Sequence, residues 1–276
     1  MKATPLFLAI STLVFSSFTL AAPADHTSAL QAAIDHPIRS TANKARDQYR
    51  HPLETLSFFE VTPKSTVVEV APGGGWYTEI LAPLLQKEGQ YYAAHHPENT
   101  KSEYGKKSLA SYKAKLAADP VFSKVVVTEF APVAGQKIAP DQSADVVVTF
   151  RNLHNWYMQQ GDESLLNAYK SFYAALKPGG VLGVVEHRLP ENKLNTDWKK
   201  TGYMPQSLAI KLAEQAGFVL EATSEVNANP KDTANHPSGV WALPPTLANK
   251  ETDKAKYLAI GESDRMTLKF RKPKAQ

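Results

Sequence analysis

The chain has 276 residues, a formal net charge of +4 and no cysteine. The lack of cysteine excludes disulfide bonds, thiolate metal sites and a cysteine nucleophile. The small net charge does not indicate a nucleic-acid-binding surface, and the length suits one large α/β domain with a substantial core.

The first 24 residues have the pattern of a secretory signal peptide. Met1 and Lys2 provide a positive start, residues 5–20 are uncharged, and small residues around Ala22 and Ala24 suit cleavage. The apolar run is too short and wrongly flanked for a membrane span, and no later segment approaches that length. We expect cleavage after Ala24, with Ala22 as the alternative, and export to a compartment such as the Gram-negative periplasm.

Residues 25–65 are predicted to form a helical leader. Ser40 suits the N-cap of a helix over residues 41–50, and Pro52 suits the first turn of the next helix. The polar end of the first of these helices can be read as a surface with ordinary ion pairs or as one edge of a binding site. Its polar residues are Arg46, Asp47, Gln48, Tyr49, Arg50 and His51.

From residue 66 onward, predicted strands and helices alternate, which is typical of a parallel sheet covered on both faces. Residues 227–241 and much of residues 243–261 are predicted to be loops. Polar and apolar residues alternate in the last strand, as in an edge or hairpin strand. The strands are expected at residues 66–70, 90–94, 125–127, 145–150, 181–186, 218–226 and 265–270.

A glycine-rich loop follows the first predicted strand. The sequence EVAPGGG at residues 69–75 ends a β-branched run and precedes a helix-like segment. Glycine lets a backbone turn tightly and approach a ligand closely, so this strand, loop and helix are typical of the first crossover of a nucleotide-binding sheet. A purely structural turn explains the three glycines equally well.

These segments resemble the class I S-adenosylmethionine-dependent methyltransferases. The resemblance rests on residues 69–75, on DVVVTF at residues 145–150 and on LKPGGVL at residues 176–182, and it covers about residues 66–272. It implies an α/β, Rossmann-like domain over residues 66–276, with a seven-stranded sheet of order 3-2-1-4-5-7-6, strand 7 antiparallel and helices on both faces. Residues 69–77, 151–154 and 264–265 more narrowly resemble an exported subgroup of predicted methyltransferases.

In that family, the glycine loop and the acidic residue before it hold the methionine part of the cofactor. Ala71 stands in place of the usual first glycine, a small change if its φ angle is negative. The second strand runs into His95, where the family usually has a carboxylate that accepts from both ribose hydroxyls. A neutral His95 can accept one hydrogen bond, and Glu98 is a second candidate to accept from the ribose. The resemblance assigns cofactor binding to Glu69, Ala71, Pro72, Gly73, Gly74, Gly75, Trp76, Tyr77 and His95.

The implied strand order brings further polar residues to the same crevice. His154 and His187 are candidate general bases, because imidazole titrates near neutral pH, although either can also be a structural hydrogen-bonding residue. Asn152 is a candidate to hold the acceptor or the cofactor through its amide. Candidates to bind an anionic substrate or the cofactor carboxylate are Arg46, Arg50, His51 and Arg151.

The resemblance thus implies methyl transfer from S-adenosylmethionine to a small molecule, with no nucleic-acid partner. Because this cofactor is made in the cytosol, an exported ligand-binding protein without catalysis is the alternative. Metal-dependent chemistry at His95, His96, His154 and His187, with Glu186 as an optional further ligand, is a third interpretation. No HxxxH or HExxH spacing supports it, and we predict no metal site.

Overall fold

The protein is described here by a computed structural model that covers residues 24–274. The predicted signal peptide lies outside these residues except for Ala24. The strands are β1 (Thr66–Val70), β2 (Gln90–His95), β3 (Val125–Glu129), β4 (Ala144–Phe150), β5 (Leu176–Leu189), β6 (Met204–Pro205), β7 (Val219–Ser224) and β8 (Arg265–Arg271). The helices are α1 (Ala24–Asp35), α2 (Thr41–Lys44), α3 (Asp47–Arg50), α4 (Pro52–Phe58), α5 (Thr78–Leu85), α6 (Glu103–Ala117), α7 (Leu153–Gln160), α8 (Asp162–Ala175), α9 (Gln206–Gln215) and α10 (Lys254–Ile260).

The strands form one sheet with the order β3-β2-β1-β4-β5-β8-β7, and the two-residue β6 pairs with the end of β5. Strands β1 to β5 pair in parallel, whereas β8 is antiparallel to both β5 and β7. Without the short β6, this is the order predicted from the sequence. The sheet order reverses between β1 and β4, so the loops after these two strands open into the same crevice.

Of the two alternatives for the last strand, the edge strand is wrong. Strand β8 lies between β5 and β7 and hydrogen-bonds on both sides. Its polar residues have partners inside the protein: Thr267 is buried against Asn227, and Arg265 is buried against Glu262. The alternating pattern therefore reflects buried polar contacts rather than exposure to solvent.

The helical leader packs into the main core. Leu30, Leu56 and Phe59 are buried in the same apolar cluster as Ile80 and Leu81 of α5. Phe59 also lies against β5, where a Cβ on Gly183 would come within 2.5 Å of its ring. Close contact with the sheet thus fixes the position of the leader.

The leader helix predicted over residues 41–50 is two short helices. Ser40 does cap α2, since its hydroxyl accepts from the amide of Asn43 at 3.2 Å, but the helix breaks before Arg46. Pro52 begins α4 as predicted, and His51 before it has φ of 41°. These two breaks direct Arg46 and Arg50 toward Glu262 at the other end of the chain.

Two helices lie where the sequence analysis expected none. Helix α7 follows β4 almost at once, and α10 lies within the region predicted to be loop. Strand β5 is also longer than predicted and extends to Leu189. Within residues 24–274, no helix combines the length and the apolar character needed to cross a bilayer.

Candidate functional site

The glycine loop is held in an unusual backbone conformation. Ala71, Gly73 and Gly75 have φ angles of 56°, 58° and 77°. The replacement of the usual glycine by Ala71 is therefore not the small change that a negative φ would make it, because this residue is held in the left-handed region that normally favours glycine. Its amide donates to the carbonyl of Ala94 on β2 at 2.8 Å, and its own carbonyl accepts from Asn152, just after β4, at 3.2 Å, so bonds from both sides fix it.

One side of the loop is open. A Cβ added to Gly73 or Gly74 would meet no atom within 4 Å, whereas one on Gly75 would lie 3.1 Å from the ring of Tyr112. The first two glycines therefore leave room for a ligand beside the backbone, and the third allows α6 to pack closely against the loop.

Glu69 lies beneath this loop and is 3% exposed. Its carboxylate accepts from the hydroxyl of Tyr91 and, at 3.4 Å, from that of Thr78. Burial raises the pKa of Glu69 to about 7, although both of these hydrogen bonds oppose the change. The carboxylate thus braces the start of α5 and borders the loop.

The next two loop residues connect the loop to the rest of the protein. Trp76 is buried and donates from its indole nitrogen to the carbonyl of Asn43 at 3.1 Å. Tyr77 stacks on Phe150, with ring centroids 3.6 Å apart, and Pro72 is also buried. Their cofactor-binding role stays a prediction.

His95 lies next to the loop, but both of its ring nitrogens are occupied. Nδ1 accepts from the amide of His96 at 2.8 Å, so Nε2 carries the proton and faces the carbonyl of Gly73 at 3.3 Å. Burial lowers the pKa of His95 to about 4. The neutral ring in this conformation has no acceptor left for a ribose hydroxyl, and Glu98 is exposed and paired with Lys113.

His154, Glu186 and His187 lie together at the ends of β4 and β5. His154 Nδ1 is 2.9 Å from a Glu186 oxygen, and the same carboxylate accepts the backbone amides of His154 and His187. The carboxylate orients the His154 ring and places its proton on Nδ1, which leaves the lone pair on Nε2. This is the arrangement of a general base held by an acidic partner.

His187 is held by Ser263, whose hydroxyl lies 2.5 Å from its Nδ1. The rings of His154 and His187 have centroids 5.2 Å apart. Burial lowers the pKa of His187 well below its ordinary value, and the positive charges of Arg265 and Arg151 lower it further. His187 is therefore neutral near pH 7.

The amide nitrogen of Asn152 is used within the protein. It donates to the carbonyls of Ala71 and Phe150, both at 3.2 Å, and approaches the hydroxyl of Thr149 at 3.4 Å. These bonds join the loop after β1 to the end of β4. In this conformation the amide positions the crevice wall, and its catalytic role stays a prediction.

Four arginines meet around one buried acid, and we call them the arginine cluster: Arg46, Arg50, Arg151 and Arg265. Glu262, which is 3% exposed, accepts from Arg46 at 2.6 Å, from Arg265 at 2.6 Å and from Arg50 at 3.4 Å. Burial alone would raise the pKa of Glu262, but Arg265 and then Arg50 lower it to about 2. The carboxylate is therefore charged at neutral pH.

The structure joins three of the predicted anion-binding residues in this cluster, and adds Arg265 and Glu262. His51 follows Arg50 in the chain, and its buried Nδ1 has no hydrogen-bond partner in the described part of the chain. Asp264 and Arg265 belong to the sequence pattern described above, but a pattern of adjacent residues does not give their position in space. Glu262 was missed because it lies 212 residues beyond Arg50.

The residues of the metal-dependent alternative are only partly brought together. Among residues 26–274, a group whose possible ligand atoms lie within 4.8 Å of one another consists of His154, Glu186 and His187, without His95 or His96. The arginines that lower the pKa of His187 also oppose a cation at this position.

The sheet order and the glycine loop define the Rossmann-like methyltransferase fold. A solved S-adenosylmethionine-dependent methyltransferase from Aquifex aeolicus has 14% sequence identity and a TM-score of 0.54, over 89% of this chain and 98% of that one. The [4+2]-cyclase SpnF has 17% identity and a TM-score of 0.56, over 91% and 94% of the two chains. A putative sarcosine dimethylglycine methyltransferase from Galdieria sulphuraria has 13% identity and a TM-score of 0.53, over 89% and 90%.

No protein-family model and no curated protein matches the sequence. At these identities, the likeness to the solved structures shows the fold. The cyclase also shows that this fold is not restricted to one named reaction.

Proposed function

We propose that this protein transfers a methyl group from S-adenosylmethionine to a small molecule. The observation that carries the proposal is the open glycine loop at the reversal of sheet order, beside the His154–Glu186 pair. Two of the solved structures with this fold are named as methyltransferases, which agrees with the proposal.

The residues present fit the methionine part of this cofactor. Gly73 and Gly74 leave open space beside their backbone, and Glu69 lies next to them. At the position of the ribose this chain has His95 instead of the usual carboxylate, and both ring nitrogens of His95 already face Gly73 and His96. When bound, the cofactor would supply an activated methyl group, and the protein would mainly position the acceptor beside it.

His154 is proposed as the base that takes a proton from the acceptor. Its Nε2 has the lone pair, and Glu186 stabilises the positive charge that forms on the ring. His187, which is neutral and fixed by Ser263, is proposed to orient the same acceptor.

Calorimetric titration of the purified protein with S-adenosylmethionine and S-adenosylhomocysteine tests the cofactor proposal. We expect binding by the wild type and its loss in Gly74→Val, with an unchanged melting temperature, because the new side chain points into open space. No heat and no melting shift at millimolar ligand would refute the proposal and favour a protein that binds another ligand. A shift that requires a divalent metal would favour metal-dependent chemistry.

We also propose that residues 1–24 direct export. The uncharged run after Lys2 and the small residues that end at Ala24 support this proposal. N-terminal sequencing of the protein from a periplasmic extract should give Asp25 or Pro23 as the first residue. A protein that keeps Met1 and stays with the cytosolic fraction would refute it.

A further inference from the structure

The charges of the arginine cluster do not balance within the protein. Four guanidinium groups surround Glu262, which contributes one negative charge, so the cluster has a surplus of three positive charges. Arg50 and Arg265 are each 2% exposed. Arg46 and Arg151 are partly exposed. Buried charges are normally paired, and the single carboxylate shared by Arg50 and Arg265 therefore favours a further negatively charged group from outside the chain.

Several donors of the cluster also lack partners. Arg46 Nη2 and Arg50 Nη1 are buried and make no hydrogen bond, and nor does Nδ1 of the adjacent His51, in the part of the chain that the structure describes. The guanidinium of Arg151 has no hydrogen bond to any described residue. Unsatisfied buried donors are costly and uncommon in folded proteins, so their concentration at one place indicates a ligand that accepts from them.

The guanidiniums are close enough to affect one another. Burial lowers the pKa of Arg50, and the charge of Arg151 lowers it further. Burial and the charge of Arg265 have the same effect on Arg151. Bidentate arginine donors match carboxylate and phosphate groups in geometry as well as in charge.

The cluster reaches both parts of the candidate site. On one side, the guanidinium of Arg50 lies 4.6 Å from the ring centroid of Trp76, at the end of the glycine loop. On the other side, Ser263 connects Arg265 to His187, with oxygen–nitrogen distances of 3.3 and 2.5 Å. A negative group bound here would therefore lie next to the proposed cofactor and next to His187, which is proposed to orient the acceptor.

We propose that the arginine cluster binds the carboxylate or phosphate group of an anionic methyl acceptor. This proposal rests on the proposed methyl transfer and specifies its substrate class. The cofactor has a carboxylate of its own, but one such group would neutralise only one of the three surplus charges. The remaining charge suits a dianionic phosphate or a polycarboxylate on the acceptor.

Titration with inorganic phosphate tests the proposal in the purified protein, because it requires neither a known acceptor nor turnover. We expect phosphate to bind the wild type and to bind Arg151→Gln about tenfold more weakly, since a charge-assisted contact is lost. The Arg151 side chain makes no hydrogen bond within the described residues, and the backbone bond from its amide to Val185 is kept in the variant, so this variant should fold normally. Arg271→Gln is the matched control, because it also removes one arginine charge. Arg271 lies at the end of β8 away from Arg265, and in the wild type it pairs with Glu60 and Glu221. This variant should bind phosphate like the wild type.

Two further arms separate the acceptor from the cofactor as the source of the negative group. The titration is repeated with the protein saturated with S-adenosylhomocysteine, and again with 5′-methylthioadenosine, which lacks the amino-acid part. Unchanged phosphate affinity in both arms supports an acceptor subsite. Displacement of phosphate by S-adenosylhomocysteine alone would overturn it and assign the cluster to the cofactor carboxylate.

Equal phosphate affinity in the wild type, Arg151→Gln and Arg271→Gln would also overturn the proposal. Failure of the wild type to bind S-adenosylhomocysteine is measured separately, and it would overturn the methyl-transfer proposal on which the acceptor assignment rests. In that case, a phosphate affinity that still depends on Arg151 would identify an anion-binding protein of another kind. The two failures are therefore distinguishable.

Discussion

Replacing Glu262 with glutamine should destabilise the protein strongly, with a defined dependence on pH. The variant removes the negative charge but keeps the size of the side chain. The pKa of Glu262 is lowered from an ordinary value of 4.5 to about 2, and this difference corresponds to about 3 kcal/mol of stability. Removal of one partner from a buried ion pair costs a similar amount, about 3–5 kcal/mol.

The sign of the pH effect follows from the lowered pKa. The folded protein binds the proton of Glu262 less readily than the unfolded chain, so the stabilisation is fully present above pH 4.5 and is lost as the pH falls through about 2. Glu262→Gln resembles the protonated wild type. The stability difference between the two proteins should therefore be about 3 kcal/mol at pH 7 and should shrink steadily below pH 4.5.

Urea unfolding followed by tryptophan fluorescence at pH 7, 4.5 and 3 measures this difference. Glu221→Gln is the matched control, because the pKa of Glu221 is also lowered to about 2, by Arg271 first, but its side chain is 34% exposed. Solvent screening should limit its loss to about 0.5 kcal/mol. A loss below about 1 kcal/mol in Glu262→Gln at pH 7, or one that does not change with pH, would refute the reasoning.

The remaining predictions concern the crevice. Glu186→Gln should lower the turnover number at least about 100-fold and leave the cofactor affinity unchanged. Turnover is measured as release of S-adenosylhomocysteine, with an acceptor found by screening anionic compounds. An equal loss of cofactor affinity would contradict a role through His154. Gly73→Ala should abolish cofactor binding, whereas Gly135→Ala, which has a similar positive φ and equally open space, should cost only about 1 kcal/mol of stability and leave binding intact. Ala71→Gly should maintain or raise the melting temperature, because glycine relieves the strain at a φ of 56°; a clear decrease would show that the Ala71 methyl group contributes more than its strain costs.

Local patterns and the family resemblance were sufficient to predict the sheet. β-branched runs placed the parallel strands, and the resemblance supplied their order. Ser40 and Pro52 marked helix starts through capping and a fixed φ angle, which depend on a few neighbouring residues. Helix α7 was missed because it begins directly after β4 with Asn152 at its N-cap position, and that side chain makes no capping bond.

The details of the site depend on contacts that are distant in sequence. The left-handed conformation of Ala71 is held by bonds to Ala94 on β2 and to Asn152 after β4, whereas the residue type alone favours a negative φ. The link from Arg46 to Glu262 spans 216 residues, and no local pattern encodes it. Such pairings become visible only when the fold brings the two ends of the chain together.

The position of β8 has a consequence for folding. Because this strand is inserted between β5 and β7, the sheet cannot close until almost the entire chain is available. Contacts between residues as far apart in sequence as those of β5 and β8 form late and slowly. Before β8 is inserted, β5 and β7 expose unpaired backbone edges, and a chain interrupted in that state offers the kind of strand edge at which proteins aggregate.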